Sequence, residues 1–165
     1  MHIRFAALSF AVAGLLATSA PAALSQTLLT EKVLPLALAE EIAHATMEKC
    51  HADGYPIAVS VVDKYGAFRV FLRDDGTNAI SIEISRRKAL TAALYRRPSS
   101  QVAKEWKTNG EPQVKVPEAL PAGGGVPIKA GNEFIGGVGV VGAPGGDKDE
   151  ACALAGVAKV ADKLK

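Results

Sequence analysis

Apart from His2 near the start of the chain, histidine occurs only at His44 and His51. They stand seven residues apart in a helical pattern, so both imidazoles lie on one flank of that helix, about 10 Å apart along its axis. Imidazole is the commonest metal ligand and proton carrier among side chains, and Met47 between them adds a softer donor. Hydrolytic frames are absent: there is no G-x-S-x-G and no HExxH, and neither histidine has a serine and an aspartate in recognisable register. Asp74 and Asp75 are consecutive, so their carboxylates diverge and do not form an acid/base pair. Positive charge gathers at Arg86-Arg87-Lys88 and Arg96-Arg97. On a helix, Lys88, Thr91 and Tyr95 fall at i, i+3 and i+7, so Lys88 points with semi-polar neighbours and away from the arginines. Arg73 stands where an expected strand ends, near the sheet edge. Finally, Gly123 to Gly146 reads GGGVPIKAGNEFIGGVGVVGAPGG. Alternation there puts Ile135, Gly137, Gly139 and Val141 on one strand face, a floor poor in side chains that admits a helix, a backbone or a flat ligand.

That run also contains Gly137-Val-Gly139-Val-Val-Gly142, which matches the dinucleotide fingerprint letter for letter. A working fingerprint follows a strand and opens a helix within a βαβ unit. Here the glycines lie inside a strand and a hairpin precedes them, so packing is the better account.

The elements that must position these residues follow from spacing and turn chemistry. A helix is expected over Thr30 to Ala52, with Pro35 in its first turn and Ala39, Ile42, Ala43, Thr46 and Cys50 forming the core stripe. Gly54-Tyr-Pro56 ends it. Ala58–Val62 and Ala67–Leu72 read as a hairpin turned by Gly66, with Asp63 and Asp75 serving turns and caps. A second helix is expected over Ile80 to Tyr95 and a shorter one over Ser99 to Trp106. Thr108 to Ala122 is Pro-rich and without period, a surface loop. Gly131-Asn132 turns a second hairpin, and Asp147 caps a last helix through Lys163. Consecutive hairpins give antiparallel neighbours, so the fold class is α+β, with the terminal helices on one face of the sheet.

His2 and Arg4, an apolar run from Phe5 to Ala17 too short to span a bilayer, and a small, Pro-broken segment ending at Ala23-Leu-Ser25 have the form of a secretory signal peptide. Residues 1–25 are thus expected to be removed, leaving residues 26–165 as a single domain, periplasmic or secreted and not inserted in a membrane. Composition is 48% hydrophobic but only 5% aromatic, so the core is aliphatic and alanine-rich. A formal net charge of +2 leaves no field that would draw the chain onto nucleic acid. Cys50 and Cys152 have no CxxC or Cys/His spacing for zinc. The simpler expectation is two buried thiols, one in each terminal helix; a disulfide is the alternative in an oxidising compartment.

Several spaced motifs carry a resemblance. Ala58-Val-Ser-Val-Val-Asp63 with Gly66, Arg73-x-Asp-Gly76, Lys88-Ala-x-Thr-Ala92, Gly124-Gly-Val-Pro-Ile128, Gly136-Gly-x-Gly-Val140, Asp149-Glu150 and Ala155-Gly156 resemble the GlcG/HbpS family across nearly all of residues 26–165. The resemblance implies a profilin-like, three-layer α/β/α domain with a central antiparallel sheet of about five strands. It also implies a homo-oligomer and haem as cofactor, haem degradation being attached to the family by name. One departure is that the family's Arg-Met-Asp-Gly reads Arg73-Asp74-Asp75-Gly76 here, which removes a thioether from that turn.

Haem needs a flat apolar slot, an axial ligand and cations for its propionates. The axial candidates are His44 and His51. One helix cannot place both on opposite sides of a single iron, so a bis-histidine site requires a second subunit. Lys88, a position of the resembling motif, and then Arg73 are the propionate candidates, with Thr91 beside Lys88 and Gly137 and Gly139 as the floor. The expectation is an exported haem-binding protein for storage, transport or sensing. A metal-free small-molecule or interaction module of the same fold is the alternative, and a haem-degrading enzyme the weaker one. No residue is assigned a catalytic role.

Overall fold

The computed structural model describes residues 28–112 and 116–165, and Glu31–Lys165 form one compact unit. The expected signal peptide lies outside the described residues, as do residues 113–115 of the expected loop.

Helix α1 spans Leu36–Ala52, starting later than expected because Pro35 takes an extended conformation (ψ 149°) as its N-cap. Its buried residues are Ala39, Ile42, Ala43, Thr46 and Cys50, the expected stripe, and His44, Glu48 and His51 are exposed. Strands β1 (Ala58–Asp63) and β2 (Phe68–Arg73) form the first hairpin, followed by α2 (Ser81–Tyr95) and α3 (Ser99–Asn109). Strands β3 (Gly125–Ala130) and β4 (Glu133–Val141) form the second, and α4 (Gly146–Lys159) follows, with a 3-10 turn at Ala161–Lys163. Gly131 makes the β3–β4 turn at φ +63°, where a side chain would be strained.

The sheet has four strands, one fewer than expected, in the order β2-β1-β4-β3, all pairs antiparallel. Helices α1 and α4 pack on each other and on one face; α2 packs on the other, with α3 against it. The architecture is therefore α+β in three layers. On the α1/α4 side, Val59, Val61, Val138 and Val140 meet Ile42, Ala43, Cys152 and Ala153 in an aliphatic core. On the α2 side the residues are small: Val62, Ala89 and Ala93 cluster, and Ser60 and Ser85 share a hydrogen bond of 2.7 Å.

The small side explains the glycines and overturns the open floor. A Cβ on Gly139 would collide with Ser85 O and Ala89 N, and one on Gly137 with Ala89 O, also coming within 3.0 Å of Ala93 N. Gly137 and Gly139 thus let the backbone of α2 settle directly on the sheet, and the helix fills the space above them.

Register corrects two further expectations. In β4, Ile128 pairs with Gly136 but Lys129 with Phe134, so Ile135 is the extra residue of a β-bulge. The bulge breaks the alternation and carries Ile135 off the glycine face into the aliphatic core with Leu34. Cys50 and Cys152 are joined in a disulfide with a sequence separation of 102. The thiols expected to be independent meet because α1 and α4, at opposite ends of the chain, lie side by side on the sheet.

Candidate functional site

The structure separates the residues singled out in the sequence into two groups on opposite sides of the sheet. Lys88 and Thr91 lie inside, on α2. Lys88 Nζ donates to Val140 O and to Asp149 Oδ2, both at 2.9 Å, and Ala143 N donates to Asp149 Oδ1 at 3.0 Å. Both side chains are nearly sealed, 7% and 4% exposed. Gly124, at φ +117°, crosses over the pair where a Cβ would come within 3.0 Å of Lys88 Nζ. Burial pushes the Asp149 carboxyl above its usual range, and the Lys88 ammonium and the Ala143 N–H pull against it.

Thr91, fully buried, donates to Arg87 O and accepts from Leu120 N, both at 2.7 Å. Arg87 reaches the same loop through Glu118 O at 2.9 Å, and Arg86 pairs with Glu83. Neither Lys88 nor Thr91 can therefore meet a propionate: their polar atoms are spent holding α2, β4, α4 and the loop after α3 together. Their motif positions report packing.

His51 is different. It sits in the last turn of α1, its side chain 49% exposed, with Nε2 at 2.9 and 2.8 Å from the two carboxylate oxygens of Asp74. Asp74 follows β2 directly and is itself fixed, because Oδ2 accepts from Ile57 N at 2.7 Å and its own N–H donates to Ile57 O at 3.0 Å. A neutral imidazole that gives its Nε2 proton to a carboxylate keeps its Nδ1 lone pair for a metal. His44 makes no hydrogen bond or ion pair among the described residues.

The His51–Asp74 pair borders an open depression of about 470 Å³, whose wall continues through Gly54, Tyr55, Pro56 and Asp75. One cation stands near, Lys148 of α4, 5.3 Å from the centre of the Tyr55 ring, whereas the side chain of Arg73, although next in the chain to Asp74, donates to Thr77 O at 2.6 Å and does not line the depression. Of the expected set, His51 and Arg73 are thus brought to one end of the β1–β2 hairpin. Lys88, Thr91, Gly137 and Gly139 are not.

Sequence reasoning missed Asp74, Tyr55 and Lys148. The signal for Asp74 was in view, since it occupies the turn position that departs from the resembling family's methionine. A more apolar depression of about 530 Å³ lies between β3 and the end of α4, among Val126, Pro127, Leu154, Val157 and Leu164, but it holds neither histidine.

With this geometry in place, residues 34–158 match a family model described as haem degrading protein HbpS-like. Protein GlcG of Escherichia coli (strain K12) is 32% identical over 112 residues, covering 67% of this chain and 83% of GlcG. A double mutant of Streptomyces reticuli HbpS superposes with a TM-score of 0.75 at 38% identity, covering 85% of this chain and 96% of that one. A PduOC:heme complex gives a TM-score of 0.66 at 22% identity, with 78% and 95% covered, and at that identity shows the fold alone.

Proposed function

The chain belongs to the HbpS-like family, and on that premise we propose that it is an exported haem-binding protein whose iron ligand is His51. The observation that carries this reading is the His51–Asp74 pair. It is the carboxylate–imidazole arrangement that fixes tautomer and ring orientation in metal-ligating histidines, and it opens onto a depression rather than into the core. Lys148 supplies charge of the right sign for a propionate. The described residues of the depression would offer the iron one imidazole, so a homo-oligomer in which another copy completes the site is part of the proposal. Bound haem would supply redox and ligand-exchange chemistry; the chain's own contribution is to orient His51 and pair a propionate.

Export is part of the proposal. The features of residues 1–25 support it, as does the Cys50–Cys152 disulfide, since disulfides persist in oxidising compartments.

Haem titration of the purified protein, followed by the Soret band, tests the assignment. Wild type and His44→Ala are expected to give the same saturable shift, His51→Ala to lose it, and Asp74→Asn to weaken binding about 10- to 100-fold. An unchanged shift in His51→Ala overturns the ligand; no saturable shift in wild type overturns haem.

A further inference from the structure

At the other end of the β1–β2 hairpin, about 17 Å from Asp74 at the rise of an extended strand, a second cavity is built from two irregularities of the sheet. In the β1–β2 pairing Val61 opposes Val70 but Val62 opposes Phe68, so Arg69 is the extra residue of a bulge. The extra residue on β4 is Ile135. Both line the same cavity of about 280 Å³, together with Leu34, Pro35 and Asp63. Bulges re-aim side chains and gather beside functional sites. The bulges lie on the two neighbours of one strand and bring both displaced residues to one space.

The chemistry of the walls is mixed in a specific way. Leu34, Pro35 and Ile135 are apolar, and Leu34 and Ile135 are almost fully buried. Arg69 makes no hydrogen bond or ion pair among the described residues. Of the other charges near it, Lys64 and Glu31 are engaged with each other and Asp63 is engaged through one oxygen. Lys64 pairs with Glu31 at 2.6 Å, and Tyr65 OH donates to Glu31 Oε2 at 2.8 Å. Asp63 Oδ1 accepts from Tyr65 N at 2.9 Å and from Ala67 N at 3.0 Å. The segment that precedes α1 is tied across the hairpin end by these bonds and by Lys64 Nζ to Lys32 O at 3.3 Å. It forms one wall and gives the cavity more enclosure than the depression at His51.

We propose that this cavity binds a small carboxylate with an apolar body, its carboxylate paired with the Arg69 guanidinium and its body against Val33, Pro35 and Tyr65, over the buried Leu34 and Ile135 beneath them. The planar guanidinium suits a two-oxygen anion. The space is too small for a porphyrin and lies below the usual range for drug-sized ligands, which sets the ligand at a few carbons. Asp63 keeps Oδ2 free of any hydrogen bond among the described residues, so a zwitterion has a place for its ammonium. The shared requirement is the carboxylate, and the two sources are a simple acid and an apolar amino acid.

The test is chemical-shift mapping and calorimetry on the purified protein with isovalerate, leucine and the neutral isovaleramide at millimolar concentration. Saturable binding of isovalerate or leucine is expected, with shifts confined to the amides of Leu34, Asp63, Arg69 and Ile135. Isovalerate binding alone identifies the simple acid, and preference for leucine identifies the zwitterion. Arg69→Gln, a substitution at an exposed edge position, should weaken either ligand by about tenfold or more while leaving the haem titration unchanged. Absence of binding by both carboxylates, equal binding of isovaleramide, or undiminished binding in Arg69→Gln overturns the proposal, and none of these outcomes bears on His51.

Discussion

Lys88→Met separates a packing role from a ligand role at the position where the sequence favoured the ligand. The substitution keeps the volume of the aliphatic stem and removes the ammonium, leaving the Asp149 carboxylate with the Ala143 N–H as its remaining partner and Val140 O without the Lys88 donor. Removing one member of a buried ion pair costs about 3 to 5 kcal/mol because the other charge stays behind, against a total stability of about 5 to 15 kcal/mol for a domain. Lys88→Met/Asp149→Asn removes that stranded charge while an amide oxygen still accepts from Ala143. The double variant should therefore be more stable than Lys88→Met alone, although it carries one more substitution. The pH dependence has a definite sign. With the ammonium gone, the Asp149 pKa rises further, so the folded variant binds a proton that the unfolded chain has released. The deficit relative to wild type then shrinks as pH falls from neutrality toward about pH 5. Urea unfolding followed by far-UV circular dichroism measures all three quantities, and Soret titration of the folded fraction should show unchanged haem affinity. A loss below about 1 kcal/mol, or a double variant no more stable than the single one, would refute the burial argument. Normal stability with lost haem binding would return Lys88 to the cofactor.

Reducing Cys50–Cys152 releases a loop of 102 residues, for which the chain-entropy relation gives about 4.7 kcal/mol; urea midpoints with and without reductant should differ accordingly, and coincident curves contradict it. Gly139→Ala places a methyl against the backbone of α2, an overpacking expected to cost about 1 to 3 kcal/mol or more, read as a lowered thermal midpoint. Glu83, held below the usual carboxylate range by the Arg86 guanidinium, stabilises the fold above its unfolded pKa and loses that contribution as pH falls through the folded one. Glu83→Gln should flatten the acid limb of the stability profile by no more than about 1 kcal/mol, since the pair is solvent-screened.

Much of the fold was legible because it is written in local chemistry. The stripe on α1 follows from 3.6-residue periodicity, and both hairpins follow from Gly66 and Gly131-Asn132. What failed was non-local. The phase of β4 depended on a bulge at Ile135, which alternation cannot register, and the disulfide depended on α1 and α4 being neighbours across a separation of 102 residues. The site was read less well for a related reason. Lys88 and Thr91 share a motif with polar character, and polarity alone does not distinguish a side chain offered to a ligand from one spent on Val140 O, Asp149 and Leu120 N. His51 was singled out by residue type, but its proposed role as a ligand rests on Asp74, 23 positions away.

Those corrections together constrain where any ligand can bind. Helices α1 and α4 cover one face of the sheet, and α2 lies so close on the other that Gly137 and Gly139 are needed to admit it. With both faces occupied, polar groups accessible to a ligand occur at the ends of the strands, where hairpins turn and helices stop. The β1–β2 hairpin has a fixed imidazole at one end and a bulge-directed guanidinium at the other. About 17 Å of strand separates them, beyond the reach of a ligand of a few carbons and past a screening length of about 8 to 10 Å. Substitutions at the two ends should then combine additively in stability and binding. Weakened haem binding in Arg69→Gln would mean that one ligand spans both, and would join the two sites into one.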